Sequence, residues 1–201
     1  MLNRSSSYFV LKRSMDILGA IFALLVFSPI MAIIAIAIKI ESPGPVFFRQ
    51  KRTGKNKGTF SIIKFRSMRV DSPKEIPTHL LEKPDKYITR VGRLIRKTSL
   101  DELPQFYNVL KGEMSLVGPR PALWNQIDLI NERDKYGANS IRPGITGWAQ
   151  INGRDELPIK RKAALDGEYV ARMSLLFDLE CMIKTIVKVP KHEGVIEGKA
   201  R

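Results

Sequence analysis

Three rhythms of apolar and polar residues follow one another along this chain of 201 residues. The first is an uncharged run over residues 17–38, about 22 residues and so within the length expected of a membrane span. Lys12, Arg13 and Asp16 stand before it, Lys39 and Glu41 after it. Ser28-Pro29 interrupts its middle; a proline there removes one backbone donor and crowds the preceding turn, which predicts a kink or break. Each half is then roughly 9–11 residues, about 14–16 Å, or half the hydrocarbon depth. The Ser28 hydroxyl is a local partner for the backbone freed at the break. Both flanks are basic, with Arg4 adding to the first, and basic flanks favour the cytoplasmic side. The expectation is a re-entrant hairpin, two half-depth helices entering and leaving on one face, in preference to a full span. A buried core helix is the bland alternative, against which stands so long an apolar run in so small a protein. A cleavable signal sequence shares the basic start, with Ala35-Ile36-Ala37 as a cleavage-like triplet, but its apolar core is ordinarily about 7–15 residues.

The second rhythm is strand-like. After a turn at Pro43-Gly44-Pro45, runs over 46–52 and 59–68 flank Gly54-Lys55-Asn56-Lys57-Gly58, which predicts a β-hairpin with a basic tip. Residues 73–84 read as a loop. The third rhythm is helical, over 85–97, 100–110 and 122–135. A short extended stretch at 146–152 and two closing helices at 158–173 and 174–189 complete the chain. In the last helix Leu175, Leu176, Leu179, Met182, Ile183, Ile186 and Val187 form a broad apolar stripe, with Lys184, Lys188 and Lys191 beside it. Such a stripe faces either a core or a membrane interface. The expected class is α/β, mostly α. A membrane-inserted N-terminal segment over 1–42 precedes a compact cytosolic domain over 43–201, with a small β-hairpin and interfacial amphipathic helices.

Composition narrows the chemistry. A formal net charge of +14 implies an anionic partner: nucleic acid, lipid headgroups or phosphorylated substrates. A nucleic-acid partner is not expected, because the chain lacks an aromatic platform or a reading motif and carries the membrane segment. Cys181 is the only cysteine, so no internal disulfide forms. His79 and His192 are the only histidines and stand in stretches with no catalytic pattern, which argues against His/Cys metal sites and Ser-His-Asp chemistry.

The informative block is Arg96-Lys97-Thr98-Ser99-Leu100-Asp101-Glu102-Leu103-Pro104. Ser99 and Glu102 have the spacing of a capping box, with Asp101 an ordinary first-turn acid kept ionised by the helix dipole. Pro104 strains that register, and a start nearer Asp101 suits it better. The same geometry has a chemical reading: an ionised, partly desolvated Asp101 among Arg96, Lys97 and Arg120 is a nucleophile toward phosphorus. A second Asp-Glu-Leu-Pro at Asp155-Glu156-Leu157-Pro158 makes the tetrapeptide weak evidence by itself.

The blocks 99–104, 108–112, 117–121 and 142–153 resemble those of the monotopic polyprenol-phosphate phosphoglycosyl transferases, bacterial sugar transferases that initiate glycan assembly. The resemblance runs over about 9–189 and includes Lys12-Arg13-Ser14-Met15-Asp16, Ser28-Pro29, Lys64-Phe65-Arg66-Ser67-Met68, Leu165-Asp166 and Tyr169-Val170. The length is that of the small members made of the catalytic core alone. The resemblance implies that Asp101 attacks the sugar-bearing phosphate of a UDP-sugar and releases UMP, and that undecaprenyl phosphate then takes the sugar phosphate from the aspartyl intermediate. It implies Mg²⁺ held with Asp101 and Glu102, and donor phosphate held by Arg120 within Pro119-Arg120-Pro121. Lys64, Arg66, Arg96 and Arg142 are further candidates for anionic groups, and Asp166 is a supporting acid. It also implies the cytoplasmic face of the bacterial inner membrane, contact with anionic lipids, and compatibility with a homo-oligomer. After Gly153-Arg154 the chain has Asp155-Glu156 where family members often carry Asn, so selectivity carried by that loop does not transfer. The rival reading is a non-catalytic basic protein of the membrane surface, which leaves Asp101 and Glu102 without a task.

Overall fold

The computed structural model describes residues 6–73, 84–153 and 156–188. Most of the expected loop at 73–84 therefore lies outside the described residues, as do Arg4, His79, Arg154, Asp155, Lys191 and His192. One helix, α1 (Ser6–Glu41), takes up the first rhythm and runs beyond it at both ends. Among the described residues it is the one helix long and apolar enough to cross a membrane. Pro29 lies inside it, and Ser28 Oγ donates to Leu25 O at 2.8 Å. Helical backbone passes through the Ser28-Pro29 step, so the halves are one element rather than two separate helices. Leu18, Phe22, Leu25, Ile33, Ile36 and Ile40 are exposed, whereas Asp16, Ala20, Ala23, Ile34 and Ile38 are buried.

The hairpin forms as expected from β1 (Phe47–Thr53) and β2 (Thr59–Phe65), antiparallel with Phe47 opposite Phe65 and Thr53 opposite Thr59. β2 ends at Phe65, earlier than expected; Arg66 N still donates to Val46 O at 2.9 Å, and Met68 forms an isolated bridge to Ile88. The helix expected from 85 is α2 (Arg90–Lys97), started by Thr89, whose hydroxyl accepts from Gly92 N at 2.9 Å. The helix expected at 100–110 is divided into a 3₁₀ turn (Leu100–Glu102) and α3 (Gln105–Leu110), with Pro104 between them. A proline at that point is tolerated, since it precedes the first bonded N–H of α3.

The parallel pair β3 (Ser115–Val117) and β4 (Gly144–Thr146) was not legible, because three residues show no periodicity. The stretch expected as extended at 146–152 is mostly a short helix, α5 (Trp148–Ile151). Between β3 and β4, α4 (Ile127–Asp134) starts later than expected, because Ala122 accepts from Thr53 N at 2.9 Å and Leu123 bridges Arg52. The closing helices α6 (Ile159–Arg172) and α7 (Leu175–Lys188) lie close to expectation. Most of the stripe of α7 faces away from the core, although Met182 packs against it. Phe177, Asp178 and Cys181 are buried, while Leu176 is 81% and Ile186 73% exposed.

Three polar side chains seat the first turns of α1. Lys12 Nζ donates to Asp178 Oδ2 at 2.6 Å, and Tyr169 OH donates to Asp178 Oδ1 at 2.6 Å, which joins α1, α6 and α7. Arg13 donates to Val109 O and Leu110 O at 2.8 and 3.1 Å, at the end of α3. Asp16 Oδ1 accepts from Ser115 Oγ and Leu116 N at 3.0 and 2.9 Å. Further along, Ile34 and Ile38 pack with Phe65, Ile95 and Leu103. Phe106 of α3 packs both against that group and against the group containing Ala20.

Candidate active site

The end of α1 fixes the start of the site. Glu41 accepts from Arg90 N and Val91 N at 2.6 and 3.0 Å, pairing two N–H groups that a helix start leaves free. α2 then delivers Arg96 and stops at Ser99, whose φ of +56° is left-handed. A left-handed serine is strained by about 1–3 kcal/mol, a feature that clusters at functional sites. Its side chain caps nothing, so the expected capping box is absent. The turn that follows buries Asp101 and Glu102, 7% and 9% exposed.

Glu102 is the electrostatic anchor. Lys64 Nζ, from β2, donates to its Oε1 at 2.6 Å, and Arg120 Nη2 donates to the same oxygen at 2.7 Å. Pro119 and Pro121 hold Arg120 in place from either side. Pro119 O accepts from Gly144 N at 2.9 Å, and Pro121 O accepts from Arg52 Nη1 at 3.1 Å.

Asp101 differs from its neighbour. Among the described residues, no hydrogen bond or ion pair ends on its carboxylate. Burial pushes its pKa above the ordinary carboxylate range, and Glu102 adds to that, while the charges of Lys64, Arg96 and Arg120 pull it back in part. The sequence argument for a carboxylate held ionised by a helix end is thus revised: burial outweighs the favourable field. The Lys64 ammonium moves the other way, lowered first by burial, with the acids opposing.

Asp101 lines a cavity of about 400 Å³, the size of small-ligand sites. Lys64, Arg66 and Arg96 share its walls with Arg49, Arg52 and Arg69. The last three were not singled out from the sequence; Arg49 and Arg52 stand on β1 and Arg69 beyond the end of β2, and no local pattern links them. Arg66 is buried and spends donors on Ser42 O at 2.7 Å and Pro43 O, closing the end of α1.

Two expected residues stand elsewhere. Arg142 Nε donates to Gly112 O at 2.8 Å and lines a different cavity. Asp166, 1% exposed, receives Arg133 Nε and Nη2 at 2.8 and 2.7 Å. Burial pushes its carboxyl up and Arg133 pulls it back.

Among the described residues no group of three or more His, Cys, Asp or Glu forms a metal cage. A Mg²⁺ ion takes one or two carboxylates and completes its shell with water and substrate phosphate, and Asp101 and Glu102 are the residues that could hold one here.

Residues 7–192 match the family described as bacterial sugar transferase. The chain is 43% identical over 187 residues to the UDP-N-acetylgalactosamine-undecaprenyl-phosphate N-acetylgalactosaminephosphotransferase of Aeromonas hydrophila, covering 90% of this chain and 44% of that protein. It is 41% identical over 192 residues to the UDP-glucose:undecaprenyl-phosphate glucose-1-phosphate transferase of Escherichia coli K12, covering 89% and 40%. It is 38% identical over 197 residues to the exopolysaccharide production protein ExoY of Rhizobium meliloti, covering 91% and 87%. The chain thus spans less than half the length of the first two relatives and most of the third.

Proposed function

This chain belongs to the bacterial sugar transferase family, and we propose that it moves a sugar 1-phosphate from a UDP-sugar to undecaprenyl phosphate, the first membrane step of polysaccharide or glycoconjugate synthesis. The observation that carries this reading is the buried Asp101 carboxylate, without a hydrogen bond or ion pair among the described residues, in the wall of a cavity that it shares with several cations. In the first step an Asp101 oxygen bonds to the sugar-bearing phosphorus, the bridging P–O bond breaks, and UMP leaves with that electron pair. In the second, a phosphate oxygen of undecaprenyl phosphate bonds to the same phosphorus and the Asp101–phosphorus bond breaks. Both nucleophiles are already anions, so no histidine base is needed. The barrier lies in bringing negative groups together, which Lys64, Arg96 and Arg120 offset through their fixed charges. Glu102 keeps Lys64 and Arg120 converged. Asp101 and Glu102 would hold Mg²⁺, which neutralises charge on the diphosphate.

The same reading places the body on the cytoplasmic face of the inner membrane, with α1 re-entrant. Pro29 lies inside α1, and a proline within a helix removes a backbone donor and crowds the preceding turn, which supports a bend at Ser28-Pro29.

Nucleotide release from a panel of UDP-sugars, with Mg²⁺ and with or without undecaprenyl phosphate, tests the chemistry. UMP is expected from the intact chain and not from Asp101→Asn. Release of UDP would overturn sugar-phosphate transfer, and silence across the panel from folded, membrane-bound protein would point first to a donor outside the panel and then to the non-catalytic membrane-surface reading.

A further inference from the structure

A second cavity, of about 960 Å³, opens beside the first turns of α1 and shares no lining residue with the Asp101 cavity. Its walls carry Lys12, Arg13, Lys55, Lys135 and Arg142 against one acid, Asp16. Several of these charges are already committed. Lys12 pairs with Asp178, Lys135 with Glu132, and Arg13 with the carbonyls of Val109 and Leu110. Arg142 commits only Nε, to Gly112 O. Among the described residues, no hydrogen bond ends on its two terminal nitrogens or on the Lys55 ammonium. These donors lie beside apolar wall residues, Phe9, Ile141 and Met173 among them. Asp16 is the last charged residue before the uncharged run of α1. With that run in hydrocarbon, the cavity stands at headgroup depth.

We propose that this cavity binds the phosphate of an anionic membrane phospholipid, with Arg142 and Lys55 as its free cations and the acyl chains against the exposed face of α1. A guanidinium offers paired donors that match phosphate oxygens, and a lysine adds a point charge. A soluble phosphate has the same headgroup chemistry, but it has no use for the apolar wall or for a place at the start of a membrane helix. The site rests on α1 lying in the membrane and not on the chemistry of Asp101.

The test is native mass spectrometry of the delipidated full chain in detergent, offered phosphatidylglycerol, phosphatidylcholine or inorganic phosphate. Retention of phosphatidylglycerol over phosphatidylcholine is expected. Lys55→Gln and Arg142→Gln should each weaken it about fivefold, the effect of one cation near an anionic lipid surface. Lys55 is exposed, so its variant reports on the site even if loss of the Arg142 bond to Gly112 disturbs the fold. Lys160→Gln, on an exposed residue outside the cavity, should leave retention unchanged, as should Asp101→Asn. Equal retention of the two lipids, no loss in either cavity variant, or an equal loss in Lys160→Gln would overturn the site. Displacement of the lipid by inorganic phosphate would reassign the cavity to a soluble anion. Lipid retention with no UMP release would leave the site standing and remove the transferase reading.

Discussion

Asp101 is asked to be buried and charged at once. Burial raises its pKa, and the attack on phosphorus needs it ionised. In the metal-free chain the Asp101 carboxyl should therefore titrate above an ordinary aspartate and the Lys64 ammonium below an ordinary lysine, because burial opposes both charges. An NMR titration without Mg²⁺ that finds both at their ordinary positions would contradict this. The sign for stability is the reverse of that for activity. A raised carboxyl favours the folded state below its unfolded pKa, and that contribution is lost as pH rises through the folded value. At neutral pH the charge is then a burden. Asp101→Asn should raise Tm by about 2–4 °C, the shift of about 1 kcal/mol in a chain of this size, while abolishing turnover. Asp166 makes the contrasting case. It leaves Arg133 buried and unmatched when removed, so Asp166→Ala should cost about 3–5 kcal/mol. Activity per folded molecule at a permissive temperature should persist, and its loss there would return Asp166 to the chemistry.

Elements carry these residues to each other through contacts that no periodicity announces. α1 ends on Glu41, Glu41 starts α2, and α2 ends on Ser99, where the left-handed step turns the chain into Asp101 and Glu102. The helix-long capping box expected there fails because Ser99 is spent on the turn. The topology of α1 is the element-scale question. Single cysteines at Ser7 and Ser42 should both be shielded from an impermeant thiol reagent in intact cells and both react in inverted vesicles. Labelling at Ser7 from outside would replace the re-entrant reading with a full span. Native Cys181 should stay silent in this assay, since burial pushes its thiol up to about 12.

For the molecule as a whole, the +14 charge and the exposed apolar helix make separable contributions. Salt screens the first within a few ångströms at 1 M and leaves the second intact. High-salt washing of membranes should therefore retain the protein, and detergent should extract it; release by salt alone would mean that α1 is not inserted.

The long apolar run, the hairpin, the two closing helices and the Asp101-Glu102 block were legible in the sequence, because each is a local pattern or a local cluster of chemistry. The convergence of Lys64 and Arg120 on Glu102, the burial that opposes the ionisation of Asp101, and the separation of Arg142 and Asp166 from that site were decided only by tertiary structure. Spacing along a chain records which groups are present and how they repeat. Which carboxylate is desolvated, and which cation is held within 3 Å of it, depends on the packing of elements far apart in sequence, such as β2 and the turn after α2.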